Sequence, residues 1–295
     1  MTISALFKRH PVTSYYALVF AISWGCMFMV IGPDRFLGSQ PISKTQFMYL
    51  VLLAPLLGPG VAGILSTALV YGRASLRELL SRLFRWQVSA RWYAVALLTA
   101  PLLITTILFA LSLTPAIVTA SNRASLLLLG IAVGLFVSFF EELGWTGFVI
   151  PEVRKRYGIL STGLIVGLLW GAWHFPLFSE SANSSGVFPP ALLLAVLLFS
   201  WLPPYRVLMV WVYDHTKSLF VAVLMHMTID ACSLAVLPSD MSGLSSVTYD
   251  LVFAVSLWII AGIVVLRENR GKAQSATIEA QQIIAKIGTE SDLER

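Results

Sequence analysis

The sequence has little charge for its length, and this shortage decides the class of protein. Only 12% of its 295 residues are Asp, Glu, Lys or Arg, whereas an ordinary soluble domain has about 25%. Hydrophobic residues make up 57%, and the mean hydropathy is +0.81. A soluble globule, a disordered chain and a nucleic-acid-binding domain are excluded, because each needs more polar surface. The class that remains is a polytopic membrane protein.

Cysteine is also scarce, and the two positions where it occurs exclude two kinds of site. Cys26 and Cys232 lie in apolar segments far apart in the chain. They form neither a disulfide framework nor the paired cysteines of a structural metal site. Acidic residues number 15 against 20 Lys and Arg. In a membrane protein this basic excess is typical of cytoplasmic loops, so we expect no nucleic-acid partner.

Apolar segments dominate what is present, and eight of them approach the ~20 residues that a membrane-spanning helix needs. They run over residues 14–31, 47–71, 92–113, 124–149, 158–175, 188–203, 218–236 and 248–266. We therefore predict an all-α fold, a polytopic transmembrane helical bundle of about eight spans in the cell membrane. Residues 1–266 would form a single domain, and residues 267–295 a polar cytoplasmic tail that is a loose helix or disordered.

Basic residues in the loops indicate the orientation of the bundle. Alternate loops hold 17 Lys and Arg and the other loops hold 3, which is the positive-inside pattern with both termini in the cytoplasm. Arg206 and Lys217 are assigned here to the loop after the sixth span. Residues 74–88 have apolar side chains at helical spacing with Arg on the other face, which predicts an amphipathic helix at the cytoplasmic interface. The alternative is an extension of the third span.

Ionisable side chains inside the spans are few, and they are the candidate functional residues. Near a helix centre each costs at least about 2.5–3.5 kcal/mol, so such residues persist where they face a cavity and carry function. Two adjacent acids lie in the fourth span, one His ends the fifth, and a His and an Asp lie one helical turn apart in the seventh. These residues are Glu141, Glu142, His174, His226 and Asp230.

This set of side chains is suited to hydrolysis of an acyl bond. Two His and one Glu with water are the ligands of a catalytic zinc site. The set therefore predicts a divalent metal such as zinc, held by His174, His226 and Glu142. Without metal, a glutamate acts as general base on water and a protonated His as oxyanion donor. The two routes stay open at this point. Asp230 is four residues after His226 and is expected to orient its ring or a water.

Small residues in the fifth span predict close helix packing. Gly163, Gly167 and Gly171 recur every four residues, a spacing that lets a neighbouring helix approach. His174 roughly continues this stripe, so we expect it at a helix–helix contact rather than in lipid. For the acids and imidazoles to meet, the fifth span must start outside the bilayer or the fourth must bend near Gly144 and Gly147.

At these residues the chain resembles the CPBP family of intramembrane endopeptidases, also called Abi, which includes the type II CAAX prenyl endopeptidases. The family pattern is Glu-Glu-x-x-x-Arg, then Phe-x-x-x-His, then His-x-x-x-Asn on successive membrane helices. The corresponding segments here are 141–146, 170–174 and 226–230, and the resemblance covers about residues 120–240. It implies an intramembrane metalloprotease that acts on a membrane-embedded or lipidated peptide or protein in the lipid bilayer.

Three positions depart from the family pattern: Thr146 stands for the Arg, Trp170 for the Phe and Asp230 for the Asn. By resemblance, Glu141 activates water with His174 as its partner or as a metal ligand, and His226 with residue 230 holds the metal or the oxyanion. An ionised Asp230 cannot donate a hydrogen bond as Asn does. Without the Arg, Glu142 lacks a counter-charge and is expected to be protonated or metal-bound.

Three further functions compete with the endopeptidase. A non-catalytic immunity or scaffold relative would keep the helices and lose the chemistry, and Thr146 and Asp230 favour it. An ion-coupled transporter would use the same buried carboxylates, but its usual inverted repeats are not seen in the sequence. A haem or quinone site on His174 and His226 would leave the glutamates idle.

Overall fold

A computed structural model of the chain describes residues 2–37, 40–112, 122–184, 189–237 and 243–293. Residue 113 at the end of the third predicted span, residue 188 at the start of the sixth and residues 294–295 of the predicted tail lie outside this part. The described residues form helices joined by short connections, as the all-α prediction requires. The predicted division into a domain and a tail stays a prediction.

The helices are numbered in chain order. They are α1 (Ile3–Arg9), α2 (Pro11–Phe36), α3 (Lys44–Pro55), α4 (Val61–Tyr71), α5 (Ala74–Leu83), α6 (Ala90–Ala110), α7 (Arg123–Gly144), α8 (Ile150–Arg154), α9 (Ile159–Trp173), α10 (Phe175–Ser184), α11 (Pro190–Phe199), α12 (Leu202–Thr216), α13 (Leu219–Val236) and α14 (Gly243–Leu293).

The prediction of a polytopic helical bundle is confirmed. Within the described ranges, 7 stretches of helix are long and apolar enough to cross a membrane: 11–36, 44–71, 90–110, 123–154, 190–216, 219–236 and 243–279. The predicted fifth span corresponds to α9, an apolar helix of 15 residues. Each of the eight predicted spans therefore overlaps one of these seven stretches or α9, and α9 is shorter than any of the seven.

Two wide helical turns interrupt long helices beside the centre of the bundle. A π-helical turn at Leu56–Gly60 joins α3 to α4, and another at Trp145–Val149 joins α7 to α8. Pro59 and Pro151 lack the N–H that a regular helix uses and crowd the carbonyl four residues earlier, which accounts for the change of pitch. The second turn lies where a bend in the fourth span was expected.

Glycines bring the helices of the central layer close together. A Cβ at Gly130 would lie 2.8 Å from the Cα of Ala231, so α7 and α13 are in backbone contact. The stripe in α9 contacts α11 and α12 in the same way: a Cβ at Gly167 would lie 2.5 Å from the Cα of Pro203. The predicted role of the stripe in packing is confirmed. His174 lines a cavity together with residues from other helices.

The assignment of Arg206 to a loop is wrong. The predicted sixth span ends at residue 203 because Pro203, Pro204 and Arg206 lower its hydropathy, yet helix continues as α12 to Thr216. The two prolines lie in the first turn of α12, where no backbone N–H is needed. Arg206 is therefore inside the bundle, with no exposed surface.

The predicted amphipathic segment forms a helix of its own. α5 ends at Leu83, and residues 85–89 are not helical before α6 begins, so the alternative of an extended third span is wrong. Leu79 and Leu83 are buried against α7 and α13. The tail is a helix from Arg267 to Leu293, and Trp211 donates a hydrogen bond of 3.0 Å to Glu268 at its beginning.

Candidate active site

The two adjacent glutamates face different partners, as their 100° separation around α7 requires. Glu141 is 1% exposed, and one of its oxygens accepts hydrogen bonds from the indole N–H groups of Trp145 at 3.1 Å and Trp170 at 2.8 Å. Trp145 lies one helical turn after Glu141 and Trp170 lies in α9. The carboxylate is thus held through one oxygen by two indoles, and among the described residues its other oxygen has no hydrogen-bond partner.

Glu142 forms a fully buried ion pair with Arg206. The Nη1 atom of Arg206 lies 2.9 Å from both carboxylate oxygens, and neither side chain has exposed surface. Thr146 donates a hydrogen bond to the same carboxylate. The expectation that Glu142 lacks a counter-charge is therefore wrong: the positive charge comes from α12 instead of from position 146.

His226 connects this ion pair to Asp230. Its Nδ1 lies 2.8 Å from Glu142 Oε1, and because a carboxylate paired with Arg206 only accepts hydrogen bonds, Nδ1 carries a proton. Its Nε2 lies 3.6 Å from Asp230 Oδ2, which is beyond hydrogen-bond distance but within ion-pair range. Asp230 thus faces the imidazole, as its four-residue spacing from His226 predicts.

One ring nitrogen of His174, Nε2, has no hydrogen-bond partner among the described residues. Its Nδ1 lies 2.9 Å from the carbonyl oxygen of Trp170, so Nδ1 donates and, in the neutral ring, Nε2 is left as an acceptor. The ring packs against Trp170 and Trp173, with ring centroids 5.3 Å and 4.8 Å apart. This fixed orientation suits a residue that accepts a proton or a hydrogen bond at Nε2.

A cavity of about 440 Å³ brings three of the five predicted residues together. Glu141, His174 and Asp230 line it, whereas Glu142 and His226 do not. Its remaining wall is mainly apolar and comes from α3, α7, α10 and α13. Apolar side chains of this wall include Phe47, Leu50, Val133, Val137, Leu177 and Phe178. An acid and an imidazole in an apolar cavity are typical of a small-molecule or peptide site.

A cation held by Glu142, His174 and His226 does not fit these contacts. Both oxygens of Glu142 accept hydrogen bonds from Arg206, whose fixed charge would repel a metal ion at that carboxylate. In the described part of the chain, no three His, Cys, Asp or Glu side chains are grouped so that they could hold a metal ion. These contacts do not test whether the chain binds a divalent metal at all, so divalent-metal binding stays a prediction.

Sequence reasoning missed three side chains of this site. Trp145 and Trp170 hold Glu141, and the guanidinium of Arg206 also lies 4.1 Å from the centre of the Trp170 ring. Trp170 stands for the Phe of the family pattern, and its indole N–H donates to Glu141, which a phenyl ring cannot do. Tryptophan at a motif position near an acid is a signal from which the sequence could have predicted an N–H donor to that acid. No sequence signal predicts the pairing of Glu142 with Arg206, which are 64 residues apart in the chain.

Comparison with known proteins supports the resemblance in the segment that holds the site. Residues 123–232 match the sequence model of the family described as Type II CAAX prenyl endopeptidase Rce1-like. CAAX prenyl protease 2 of Methanococcus maripaludis is 28% identical over 98 residues, which is 32% of this chain. That match spans 36% of the relative's own length. The resemblance stated from the three motifs is confirmed for this segment.

Proposed function

We propose that this chain, which carries a type II CAAX prenyl endopeptidase-like segment, is an intramembrane endopeptidase. It hydrolyses a peptide bond of a membrane-associated protein by means of water that Glu141 activates. The observation that carries the proposal is the sharing of one apolar cavity by Glu141 and His174. A buried carboxylate beside an imidazole with a free Nε2 is suited to hold a water molecule and to remove its proton.

In the proposed reaction, Glu141 takes a proton from water, and the hydroxide adds to the carbonyl carbon of the scissile bond. His174 Nε2 accepts a hydrogen bond from the same water and orients it. When the carbon–nitrogen bond breaks, Glu141 returns the proton to the leaving amine, so no proton or electron is left over. General-base catalysis of this kind contributes about 10²–10⁴-fold to the rate.

The oxygen that gains charge in this reaction needs an N–H donor, and two are near the cavity. Trp173 lines it, and its indole N–H has no hydrogen-bond partner among the described residues. His226 is the donor that the resemblance implies, and its Nε2 faces Asp230. Glu142 and Arg206 act through His226 by fixing its ring, so they are positioning residues in this proposal.

The substrate that fits is a membrane-embedded or lipidated peptide or protein. The cavity wall is mainly apolar, so it accommodates a hydrocarbon group next to the reacting bond. The name of the matched relative, CAAX prenyl protease 2, points to a prenylated C-terminus. A leader peptide or another membrane protein remains an alternative, since each also presents apolar groups within the bilayer.

Replacing Glu141 with Gln tests the proposal, because Gln keeps the shape of the side chain and cannot take the proton. We expect cleavage of a fluorogenic prenylated peptide by the purified chain in detergent micelles to fall by about 10²–10⁴-fold. Glu152→Gln is the matched control. Glu152 is also a buried acid, but it pairs with Lys155 away from the cavity, and its replacement should leave the rate unchanged.

The same pair of variants separates an enzyme from a scaffold. A non-catalytic immunity or scaffold relative is favoured by Asp230, which replaces the Asn of the family pattern. Such a protein would cleave nothing and would tolerate Glu141→Gln as well as Glu152→Gln in a growth or protection assay. Equal behaviour of the two variants would therefore overturn the hydrolytic proposal.

A further inference from the structure

A second cavity lies at the end of the bundle where α5, α8 and α12 meet, and its lining is basic. It has a volume of about 440 Å³ and is lined by five basic and two acidic side chains. The charged lining residues are Arg82, Arg85, Arg154, Lys155, Lys217, Glu78 and Asp214. We refer to it as the basic cavity. It is separate from the cavity of Glu141 and shares no lining residue with it.

Three of the five cations are already paired with acids. Arg154 donates to Asp214 at 2.6 Å and 2.9 Å, and Lys217 lies 3.2 Å from the same carboxylate. Lys155 lies 2.7 Å from Glu152 in an adjoining pocket. These pairs hold the wall of the cavity in place and neutralise part of its charge.

Arg82 and Arg85 supply the remaining positive charge. Arg82 donates through Nη1 to the hydroxyl of Tyr213 at 2.8 Å. Its buried Nε has no hydrogen-bond partner among the described residues and lies 4.0 Å from Glu78, whose side chain is 72% exposed. Arg85 is exposed at the cavity. Two guanidinium groups with unused donors in one concave site are suited to a phosphate group, which accepts several hydrogen bonds.

The surroundings of the basic cavity indicate a position at the membrane–water interface. α5 buries Leu79 and Leu83 in the bundle, while apolar side chains around them stay exposed: Leu80 is 50%, Phe84 is 72% and Trp86 is 63% exposed. An amphipathic helix that buries one apolar face and carries Arg on the other is typical of the interface. Exposed Trp beside it is typical of the aromatic belt at headgroup depth.

We propose that the basic cavity binds the phosphate of an anionic phospholipid headgroup. A headgroup enters from the leaflet beside Phe84 and Trp86, and its phosphate accepts hydrogen bonds from Arg82 and Arg85. Basic pockets between membrane helices bind headgroups in this way elsewhere. The site is independent of peptide hydrolysis, so it stands whether or not Glu141 is catalytic.

Binding of lipid to the purified full-length chain tests the proposal. Native mass spectrometry from detergent micelles would compare dioleoyl phosphatidylglycerol with dioleoyl phosphatidylcholine. We expect the anionic lipid to bind more tightly, and the double variant Arg82→Gln/Arg85→Gln to weaken its binding by about 30-fold. The matched control is Arg73→Gln/Arg77→Gln, which removes the same charge from exposed positions of the same region outside the cavity. We expect this control to change the affinity for the anionic lipid by less than about threefold.

Three results would overturn the proposal. The first is equal affinity for the two lipids, and the second is an equal effect of the two double variants. The third is displacement of the anionic lipid by millimolar inorganic phosphate but not by sulfate. This third result would assign the site to free phosphate. If the first double variant fails to fold, Arg85→Gln alone decides. Its side chain is exposed, and the variant should weaken binding of the anionic lipid by about fivefold.

Discussion

At the scale of single residues, Arg206 and Glu142 form an ion pair with no exposed surface on either side chain. Breaking such a pair costs about 3–5 kcal/mol, because the remaining charge stays buried without compensation. In the family pattern the arginine stands four residues after this glutamate, where the present chain has Thr146. In this chain the charge beside Glu142 comes from Arg206 in α12, and an arginine at position 146 would lie one helical turn from the same carboxylate.

This equivalence predicts the result of moving the arginine. Arg206→Met should lower the thermal unfolding temperature and the rate of the proposed peptide cleavage, whereas the exposed Arg156→Met should change neither. Adding Thr146→Arg to Arg206→Met should recover much of both, because the guanidinium again reaches Glu142. In the chain that keeps Arg206, Thr146→Arg should lower the unfolding temperature, because the new side chain crowds the site that Arg206 already fills. A double-mutant cycle on the unfolding temperature measures this coupling; the same effect of Thr146→Arg in both backgrounds would contradict it.

At the scale of elements, the glycine stripe of α9 sets where α12 lies. Arg206 is in contact range of that stripe, since a Cβ at Gly167 would lie 3.2 Å from the Cβ of Arg206 as well as 2.5 Å from the Cα of Pro203. A side chain at position 167 would therefore force the backbone of α12 to move. The stripe therefore determines both helix packing and the position of the guanidinium beside Glu142.

Gly167→Ala tests this second role. We expect a loss of about 1–3 kcal/mol of stability from overpacking, together with a fall in kcat, because Arg206 moves with α12. Gly25→Ala is the control: it is also a helix glycine, and a Cβ there meets nothing within 4 Å. Thermal unfolding in detergent and the cleavage rate would be measured side by side. A Gly167→Ala protein that matches the control in both would contradict this account.

The sequence predicted where the helices lie, but it predicted poorly which side chains contact one another in the site. The reason is physical. Hydropathy reports whether a segment prefers lipid, so each predicted span coincides with a helix. It fails at α12, where Pro203, Pro204 and Arg206 make a helix inside the bundle look like a loop. The cavity residues Glu141, His174 and Asp230 were found because charge in an apolar span is costly. Trp170 and Arg206 were missed because their roles depend on contacts between distant segments.

At the scale of the whole molecule, the basic loops gather at one end. Arg82, Arg154 and Lys217 come from three loop regions that were predicted to be cytoplasmic, and all three line the basic cavity. This shared end agrees with the alternation of charge along the chain. The orientation of that end towards the cytoplasm stays a prediction.

Accessibility to a membrane-impermeant maleimide on intact cells tests the orientation. In a chain whose two cysteines are replaced by Ser, we expect Asp34→Cys to be labelled and Arg156→Cys to be protected. Arg156 is exposed at the basic end. Asp34 is exposed near the end of α2, a helix of 26 residues that follows α1, and Ser4 of α1 donates a hydrogen bond to the carbonyl of Leu69 in α4. Permeabilised cells should label both, and the opposite pattern would reverse the topology.

The buried ion pair has a consequence for membrane insertion. α7 precedes α12 in the chain, so Glu142 is synthesised before Arg206. An arginine near a helix centre costs about 2.5–3.5 kcal/mol to transfer into lipid. Pairing with the carboxylate of Glu142 offsets part of that cost, so we expect the earlier helix to assist insertion of the later one.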